Sequence, residues 1–581
     1  MARIIGIGHQ DFAELIASGC FYVDKTEFIR EWWENQDVVT LIARPRRFGK
    51  TLNLNMLECF FSIEYRGQGE IFDGLSIWND KKYQELQGTY PVISFSFADV
   101  KEISFSAAKE KICQIIKMVF GKYRFLLDGD VLGEDEKEDF RRISSDPGNS
   151  TITLSLKMLS LYLSRYYGKK VIILLDEYDT PMQEAYVNGY WDEMTVFIRS
   201  LFNSTFKTNP YLFRAIMTGI TRVSKESVFS DLNNLTVITT TSDAYEDSFG
   251  FTQQEVRDAL AEYGLSAQKD SVKAWYDGFV FGRKREIYNP WSIINYLKTQ
   301  KLSSYWANTS SNNFVGKLIQ EGSSAIKETM EDLLKGRKLC TTMDEQIVFN
   351  QLEYSENAVW SLFLASGYFK ADHYRFNEEI GIGEYELSLT NKEVHITFAK
   401  MIRDWFGRSV KEYNGFIKAL LKGDTKEMNA YMNRIALTTF SYFDTGNRPS
   451  GSEPERFYHG FVLGLMVELY DRYVITSNRE SGFGRYDVML KPRKNKDDGI
   501  ILEFKVYDPD EEKNLEDTVR AALKQIEDKN YKSALVAEGI PKEQIREYGF
   551  GFEGKKVLIG SWTFCTWDSY WSILPEVNGE K

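Results

Sequence analysis

A short apolar segment near the carboxyl end of the chain contains the side chains best suited to chemistry. In IILEFKV, at residues 500–506, strand alternation places Ile501, Glu503 and Lys505 on one face, while the alternate residues, Val506 included, face a core. A glutamate and a lysine on such a strand are costly to bury unless they have partners. Phosphodiester hydrolysis would supply a reason, because carboxylates hold Mg²⁺ or Mn²⁺, the metal acidifies a water, and a lysine orients that water or stabilises developing charge.

The second carboxylate of such a site would be Asp487. It lies in a predicted strand, Arg485–Leu490, which a short charged segment joins to the strand that carries Glu503. A hairpin of these two strands would bring the carboxylates together. The polar, glycine-containing residues 477–484 before it are typical of a loop beside nucleic acid. The alternative interpretation is an ordinary hairpin with a cross-strand ion pair between an acid and Lys505.

Flanking helices offer further candidates for the same site. Gln525, on a predicted helix Leu515–Lys529, could point towards it. Glu455 and Glu468, on a predicted helix Glu455–Asp471, are candidates for an extra metal ligand.

A second constellation, in the amino-terminal half, has the form of a phosphate-binding loop. Residues Arg44–Thr51 read RPRRFGKT and follow a predicted strand, Val38–Ala43. Backbone N–H groups around Gly49 would cradle phosphates, Lys50 would reach the terminal phosphates, and the Thr51 hydroxyl would bind Mg²⁺. Arg46 and Arg47 add positive charge at the place expected for phosphate, while Arg44 replaces the first glycine of the usual pattern. The alternative is a basic turn between a strand and a helix.

The matching half of that constellation is a run of five apolar residues, Val171–Leu175, that leads directly into two acids. In this Walker B form, Asp176 would hold Mg²⁺ and Glu177 would polarise the attacking water. The turn Thr218–Arg222 follows another predicted strand and could sense the γ-phosphate, with Arg222 as a contact. The alternative for Val171–Glu177 is a core strand that ends at two surface acids. The alternative for Thr218–Arg222 is an ordinary strand-terminating turn.

The elements that must position these residues alternate between strand and helix over the first 285 or so residues. Buried parallel strands are short and continuously apolar, which fits four segments here. The predicted strands are Val38–Ala43, Val92–Phe97, Val171–Leu175 and Leu212–Met217, and the predicted helices include Ala107–Phe120 and Ser155–Tyr167. The pattern predicts an α/β domain with a parallel sheet and right-handed crossovers.

The remainder of the chain divides into a mostly helical middle region and a second α/β region. The middle region has predicted helices at Asn313–Leu334 and Asn414–Phe440, with one strand at Glu384–Leu389, and Asp444–Glu455 is a predicted linker. A further strand, Ser533–Glu538, is predicted in the last part. We therefore expect three domains, at residues 1–285, 286–450 and 451–581.

Composition limits the classes of function. The chain has 581 residues, a net charge of −12 and a pI of about 5.3, so any contact with a polyanion needs a local basic groove or bound metal rather than a basic surface. The five cysteines are scattered and form no CxxC pair, and the four histidines are dispersed. Without a signal-peptide pattern or a long apolar span, a cytoplasmic protein without a membrane segment is expected.

Several segments in order resemble the bacterial AAA-ATPase-like family. They are Tyr22–Thr26, Arg44–Thr51, Leu175–Asp179, Thr218–Arg222, Phe249–Thr252 and Trp275–Gly278. Asn289–Ser292 and Tyr305–Trp306 resemble the segment that follows the ATPase-like domain in that family. Members of that family usually carry a C-terminal PD-(D/E)XK nuclease domain, which the segments Gly484–Asp487 and Glu503–Lys505 resemble, with Ala522 and Gln525 downstream. The resemblance implies a P-loop ATPase-like domain fused to a restriction-endonuclease-like core. It also implies that the family lacks the first loop glycine, which Arg44 replaces here.

Two classes of function follow from these patterns. The first is a nuclease that acts on DNA with Mg²⁺ or Mn²⁺ and is gated by ATP, with Asp487, Glu503, Lys505 and Gln525 at one site. The second is a nucleotide-switched module that binds nucleic acid or a protein through an inactive nuclease fold. An ATPase-like domain with a degenerate nucleotide site is a third possibility.

Overall fold

The computed structural model divides into two compact units. One unit comprises Met1–Thr309 with Leu333–His395, and the other comprises Ser310–Asp332 with Ile396–Lys581. The three predicted domain boundaries stay a prediction. The structure describes residues 2–145, 152–221, 229, 232–306, 315–316, 318–319, 322–343, 352, 355–379, 381–405, 410–443, 461, 464–465, 467–481, 484–494, 497–553 and 556–562.

Strands and helices alternate through most of the first unit, and the second unit also contains both. The strands are β1 (Val39–Ala43), β2 (Val92–Ser96), β3 (Val171–Asp176), β4 (Leu212–Gly219), β5 (Leu235–Ile238), β6 (Phe251–Thr252), β7 (Asp277–Phe281), β8 (Lys284–Tyr288), β9 (Leu339–Met343), β10 (Phe369–Asn377), β11 (Ile382–Leu389), β12 (Tyr473–Ser481), β13 (Gly484–Pro492), β14 (Gly499–Val506), β15 (Ile545–Glu553) and β16 (Lys556–Gly560). The helices are α1 (Phe12–Ala17), α2 (Glu27–Asn35), α3 (Lys50–Phe61), α4 (Lys81–Leu86), α5 (Phe105–Lys122), α6 (Glu134–Ser145), α7 (Ser155–Tyr167), α8 (Thr180–Asn188), α9 (Trp191–Phe202), α10 (Gln253–Glu262), α11 (Lys269–Tyr276), α12 (Pro290–Thr299), α13 (Ser324–Leu334), α14 (Glu356–Ala365), α15 (Lys392–Trp405), α16 (Val410–Lys422), α17 (Thr425–Phe443), α18 (Leu515–Asp528) and α19 (Lys532–Ala537).

The sheet that organises the first unit is parallel and has the strand order β2-β3-β4-β1-β5. Its central strands are apolar runs buried along their full length, as expected for a sheet covered on both faces. The four predicted strands are confirmed, and β5 is an addition. Because β4 lies between β1 and β3, the carboxyl ends of these three strands meet at one edge, where the phosphate-binding candidates lie.

Two small antiparallel sheets complete the first unit, with the orders β6-β8-β7 and β10-β11-β9. The second of them lies within the mostly helical middle region of the chain. The close approach of Gly278 explains one local choice, because its φ is +138° and a Cβ atom would lie 2.0 Å from the Thr390 carbonyl oxygen. Only glycine fits this position without a shift of the backbone.

The second unit is built on a mixed sheet with the order β12-β13-β14-β15-β16, in which only the pair β14 and β15 is parallel. Helix α18 covers one face, and α16 and α17 contribute to the core on the other. Asn429 and Asn433 of α17 each exchange hydrogen bonds in both directions with the backbone of β16, at Ile559 and Val557. These amides satisfy the free edge of the sheet, which would otherwise be open to pairing.

Four sequence-based expectations are wrong in this unit. The predicted helix Asn414–Phe440 is two helices, because Gly423 adopts a left-handed φ of +78° between them. The predicted strand Ser533–Glu538 is helix α19, since a short apolar run does not by itself distinguish strand from helix. Val506 is 53% exposed rather than in the core, because it ends its strand. The expected loop at 477–484 is mostly β12 and the start of β13.

Other expectations fall partly or wholly outside the described residues. The linker Asp444–Glu455 lies outside them, and so does most of the predicted helix Glu455–Asp471, of which isolated helical residues are described. In the ranges that are described, none of the helices combines the length and apolar character needed to cross a membrane.

Candidate functional site

The loop between β1 and α3 has the geometry of an anion-binding turn. Gly49 is the N-cap of α3 with a φ of +85°, and Arg47 is also left-handed, with a φ of +66°. Such a conformation is uncommon for a non-glycine residue and tends to occur at ligand-binding sites. The loop is held from outside by Asn289 Nδ2 and Trp306 Nε1, which donate hydrogen bonds to the Arg46 carbonyl at 3.3 and 3.0 Å.

Arg44, which replaces the first loop glycine, is fully buried and points away from the expected phosphate position. Its guanidinium donates hydrogen bonds to the carbonyls of Thr239 and Tyr245. It also lies over the Phe281 ring at 4.5 Å. The left-handed positions of the loop are Arg47 and Gly49 rather than Arg44, so the backbone here does not require glycine. Arginine at this position therefore stabilises the fold and does not block the phosphate site.

The Walker-type residues converge at the edge of the parallel sheet. Thr51 Oγ1 donates a hydrogen bond to Asp176 Oδ2 at 2.7 Å, and Thr218 Oγ1 donates to the other oxygen, Oδ1, at 2.5 Å. Lys50 is buried, with Nζ 3.1 and 3.2 Å from the carbonyl oxygens of Arg44 and Pro45. The sequence assigned these residue types to a nucleotide site, and the fold brings them together.

The acidic side of this site carries excess negative charge. Lys50 Nζ lies 3.5 Å from Glu177 Oε1, and Glu177 has a left-handed φ of +50°. Burial raises the pKa of Asp176, and the Glu177 carboxylate raises it further. Asp179 is fully buried, and burial followed by Glu177 raises its pKa too. The Thr51 hydroxyl and the Asp176 carboxylate, which lie within hydrogen-bond distance of each other, are the oxygen donors that Mg²⁺ prefers.

The remaining predicted nucleotide contacts lie at the margin of this cluster. Arg46 Nη2 is 3.4 Å from Gln183 Oε1, and the exposed Arg47 stacks its guanidinium over the Trp291 ring at 4.4 Å. Arg222 lies outside the described residues. Asp179 and Gln183 were missed from the sequence, although Asp179 closes the acidic segment Asp176–Asp179.

The second site lies on the hairpin of β13 and β14. These strands pair with Val488 opposite Leu502, so Asp487 and Glu503 are neighbours across the ladder, as the sequence predicted. The Asp487 N–H donates a hydrogen bond to Glu503 Oε2 at 3.3 Å, and the Phe504 N–H donates to Asp487 Oδ2 at 2.8 Å. Glu503 is 2% exposed. A nearly fully buried carboxylate and a partly buried one therefore lie opposite each other on adjacent strands.

Helix α18 brings Gln525 onto the same pair. Gln525 Nε2 donates a hydrogen bond to Glu503 Oε1. The helix can lie this close to the sheet because the residues beneath it are glycines: a Cβ atom on Gly549 would lie 2.7 Å from the Val519 carbonyl oxygen. Gly549 pairs with Glu503 in the register of β14 and β15. The tight helix–sheet contact thus sets the reach of Gln525.

Burial makes both carboxylates harder to ionise, and the Asp487 carboxylate adds to this cost at Glu503. Burial raises the pKa of Asp487 to about 6, although the Phe504 N–H and Lys505 oppose the shift. Burial and then the Asp487 carboxylate raise the pKa of Glu503 to about 8, which the Asp487 N–H, Lys505 and Gln525 oppose. A buried acid pair of this kind fits a divalent cation, because the cation would offset both charges.

One residue near the pair was missed from the sequence, and others remain outside it. The buried Tyr531 places its hydroxyl 3.5 Å from Gln525 Nε2. Burial raises the pKa of Tyr531, the contact with Gln525 opposes the shift, and Glu503 adds to it. Tyr531 lies between the predicted helix Leu515–Lys529 and the predicted strand Ser533–Glu538, so no sequence pattern indicated a role for it. Glu455 lies outside the described residues. Among the described residues, no group of three or more His, Cys, Asp or Glu side chains gathers as a metal cluster, so Glu468 adds no third acid to the pair.

These features define the class of protein: a P-loop NTPase-like parallel sheet and a restriction-endonuclease-like mixed sheet in one chain. Residues 6–229 match the family model described as "Predicted AAA-ATPase", and residues 453–562 match the PD-(D/E)XK nuclease superfamily. The chain therefore has the architecture of a AAA-ATPase-like domain followed by a PD-(D/E)XK nuclease superfamily domain.

Two further comparisons describe the similarity of the whole chain. It is 25% identical over 550 residues to an uncharacterized protein encoded in the vnfD 5' region of Azotobacter chroococcum mcd 1, covering 92% of this chain and 94% of that protein. Among solved structures, it aligns with a Signal Transduction ATPase with Numerous Domains protein with a tetratricopeptide repeat sensor from Pyrococcus horikoshii. That alignment has 11% identity and a TM-score of 0.22, and it covers 78% of this chain and 56% of the other.

Proposed function

We propose that the chain is an ATP-binding, Mg²⁺-dependent nuclease that hydrolyses DNA phosphodiester bonds, with its nucleotide state controlling the nuclease. The observation that carries the nuclease assignment is the buried pair Asp487 and Glu503, held on adjacent strands by backbone and Gln525 hydrogen bonds. An ordinary hairpin ion pair would place a carboxylate against Lys505, whereas here the two acids face each other.

Each side chain then has a definite task. Asp487 and Glu503 would hold the cation, which when bound would supply an acidified water and polarise the phosphate. Lys505 favours the charged form of both acids and would stabilise negative charge that develops on the phosphate. Gln525 keeps Glu503 in one orientation.

The nucleotide assignment rests on the convergence of Lys50, Thr51 and Asp176. On binding of ATP, Lys50 would exchange the loop carbonyls for the terminal phosphates, and Thr51 with Asp176 would hold Mg²⁺. Glu177, now paired with Lys50, would be released to polarise an attacking water.

A cleavage assay tests the nuclease. The full chain is incubated with plasmid and with linear DNA, in Mg²⁺ or Mn²⁺, with and without ATP. Cleavage should be lost in Glu503→Ala and in Lys505→Ala but kept in Glu553→Ala, an exposed acid at the end of β15. If both site variants cut as well as the parent, the assignment is refuted. Control by nucleotide would be seen as an ATP-dependent change in rate that Lys50→Ala abolishes.

A second candidate is a nucleotide-switched binding module with an inactive nuclease fold. Lys50 donates hydrogen bonds to two carbonyls of its own loop. This favours a switch, because binding of ATP would move the lysine from this resting position to the phosphates. It predicts ATP binding that requires Lys50, DNA retention on a filter, and no cleavage with either metal.

A further inference from the structure

The acidic segment Asp176–Asp179 contacts the turn Thr218–Thr221, which begins at the end of β4. Asp176 accepts a hydrogen bond from Thr218, and the Tyr178 N–H donates to the Thr218 carbonyl at 2.9 Å. The Tyr178 hydroxyl donates to the Thr221 carbonyl at 2.7 Å. The turn is therefore held at its Thr218 end by Asp176 and Tyr178 and at its Thr221 end by Tyr178.

Asp179 supplies the contacts at the centre of this arrangement. Its Oδ2 atom accepts hydrogen bonds from the Ile220 N–H at 3.1 Å, from the Thr221 N–H at 2.9 Å and from Thr221 Oγ1 at 2.7 Å. The side chain is fully buried, and its Oδ1 atom has no hydrogen-bond partner among the described residues. A buried carboxylate with one oxygen fully used and the other unused is costly in stability, which points to a role other than packing.

The close fit of the turn against the segment depends on a glycine. A Cβ atom on Gly219 would lie 2.6 Å from the Tyr178 ring and 2.7 Å from Asp179 Oδ1. The backbone of the turn thus lies directly against both side chains. Any displacement of Asp179 would be transmitted to the turn, because its carboxylate accepts hydrogen bonds from the Ile220 and Thr221 N–H groups.

Asp179 also reaches the phosphate loop through a second residue. Gln183, one turn later on α8, donates a hydrogen bond from Nε2 to Asp179 Oδ2 at 2.9 Å, and its Oε1 atom accepts from Arg46 at 3.4 Å. One carboxylate oxygen therefore connects the turn after β4 with the loop after β1.

We infer that Asp179 is a positioning residue of the nucleotide site, which fixes the turn Thr218–Thr221 and, through Gln183, Arg46, so that the site distinguishes a nucleoside triphosphate from a diphosphate. The inference rests on the proposed nucleotide binding. Loop amides would bind the phosphates shared by ATP and ADP. Thr51 and Thr218 bond opposite oxygens of Asp176, so the turn lies on the other side of that carboxylate from Thr51, where it would be beside the terminal phosphate. Loosening the turn should therefore weaken ATP binding selectively.

The test is calorimetric titration of the full chain with Mg²⁺ and either ADP or a non-hydrolysable ATP analogue. The variants are Asp179→Asn, Asp179→Ala and Gln183→Met, and the matched control is Asn188→Ala, whose exposed amide lies on the same helix and bonds the Glu184 carbonyl. We expect Asp179→Ala to weaken the ATP analogue about tenfold while ADP changes less than about twofold, because about one hydrogen bond to the terminal phosphate is lost. Asp179→Asn, which keeps one acceptor oxygen, should restore part of that loss.

A second measurement keeps the inference testable without ligand. Hydrogen exchange of the Ile220 and Thr221 amides should accelerate in Asp179→Ala, and less in Asp179→Asn. Equal weakening of both nucleotides, or no change in either, would overturn the positioning role. If the parent titrates like Lys50→Ala with both nucleotides, nucleotide binding itself has failed, and the inference falls with it.

Discussion

Replacing Glu503 with glutamine should abolish cleavage and at the same time stabilise the metal-free protein. Burial and the Asp487 carboxylate raise the pKa of Glu503 to about 8, compared with 4.5 in an unperturbed chain. Between these two pH values the folded state keeps a proton that the unfolded state has lost. Folding stability therefore falls as pH rises through this window, which is opposite in sign to the effect of an ordinary salt-bridged carboxylate.

The size of the effect follows from the difference in bound protons. One additional proton on the folded state lowers the free energy of unfolding by roughly 1.4 kcal/mol for each pH unit. Over a window that begins at 4.5 and ends near 8, this slope gives a cost of about 5 kcal/mol for Glu503. Glutamine of the same shape removes the ionisation, so Glu503→Gln should be more stable than the parent at pH 8 by about 4 kcal/mol.

The assay is urea unfolding in EDTA at several pH values from 5 to 9, read by pulsed hydrogen exchange of the peptide that contains Gly499–Val506. This readout isolates the sheet that carries the pair, and Glu553→Gln serves as the exposed control. Mg²⁺ or Mn²⁺ should stabilise the parent at pH 8 but not Glu503→Gln. Parallel pH slopes for parent and Glu503→Gln would refute the argument, because they would show that Glu503 holds no additional proton in the folded state.

Three further predictions concern other features of the two units. Arg44→Gly restores the usual loop glycine, yet it should destabilise the first unit by roughly 3 kcal/mol, because the buried guanidinium bonds the Thr239 and Tyr245 carbonyls. ATP affinity should be no higher than in the parent. Urea unfolding measures the stability, and calorimetry measures the affinity. Gly549→Ala should displace α18 from the sheet and lower the cleavage rate about tenfold with DNA affinity unchanged, whereas equal rates would contradict the role of Gln525. Lys505→Arg should retain more cleavage than Lys505→Ala at pH 8, because a positive charge rather than a proton donor is required; kinetics of the two variants decide this.

Much of the fold could be predicted because its elements carry strong local signals. The strands of the parallel sheet are continuous apolar runs, and Ser155–Tyr167 is an amphipathic helix with the predicted ends. Prediction failed where the signal was short or depended on one backbone conformation. The segment Lys532–Ala537 is too short for its period to decide, and the break at Gly423 depends on a left-handed φ that glycine allows but does not enforce.

The sequence predicted most residues of the candidate sites but few of the contacts between them. The spacing of Asp487, Glu503 and Lys505 on two strands was sufficient, because antiparallel pairing of a hairpin leaves few registers that keep both faces apolar. The roles of Asp179 and Tyr531 could not be predicted, because each depends on residues far away in sequence that the fold places beside it.

The sequence by itself therefore determined which residues could do chemistry and on which strands they lie, since strand alternation and apolar runs are local properties of the chain. Only the tertiary structure decided that Arg44 is a buried stabilising residue, that Asp487 lies opposite an almost fully buried Glu503, and that Gln525 reaches this pair across a glycine-lined contact. Burial and charge repulsion are properties of the packed molecule, and the proposed metal site on the hairpin depends on both.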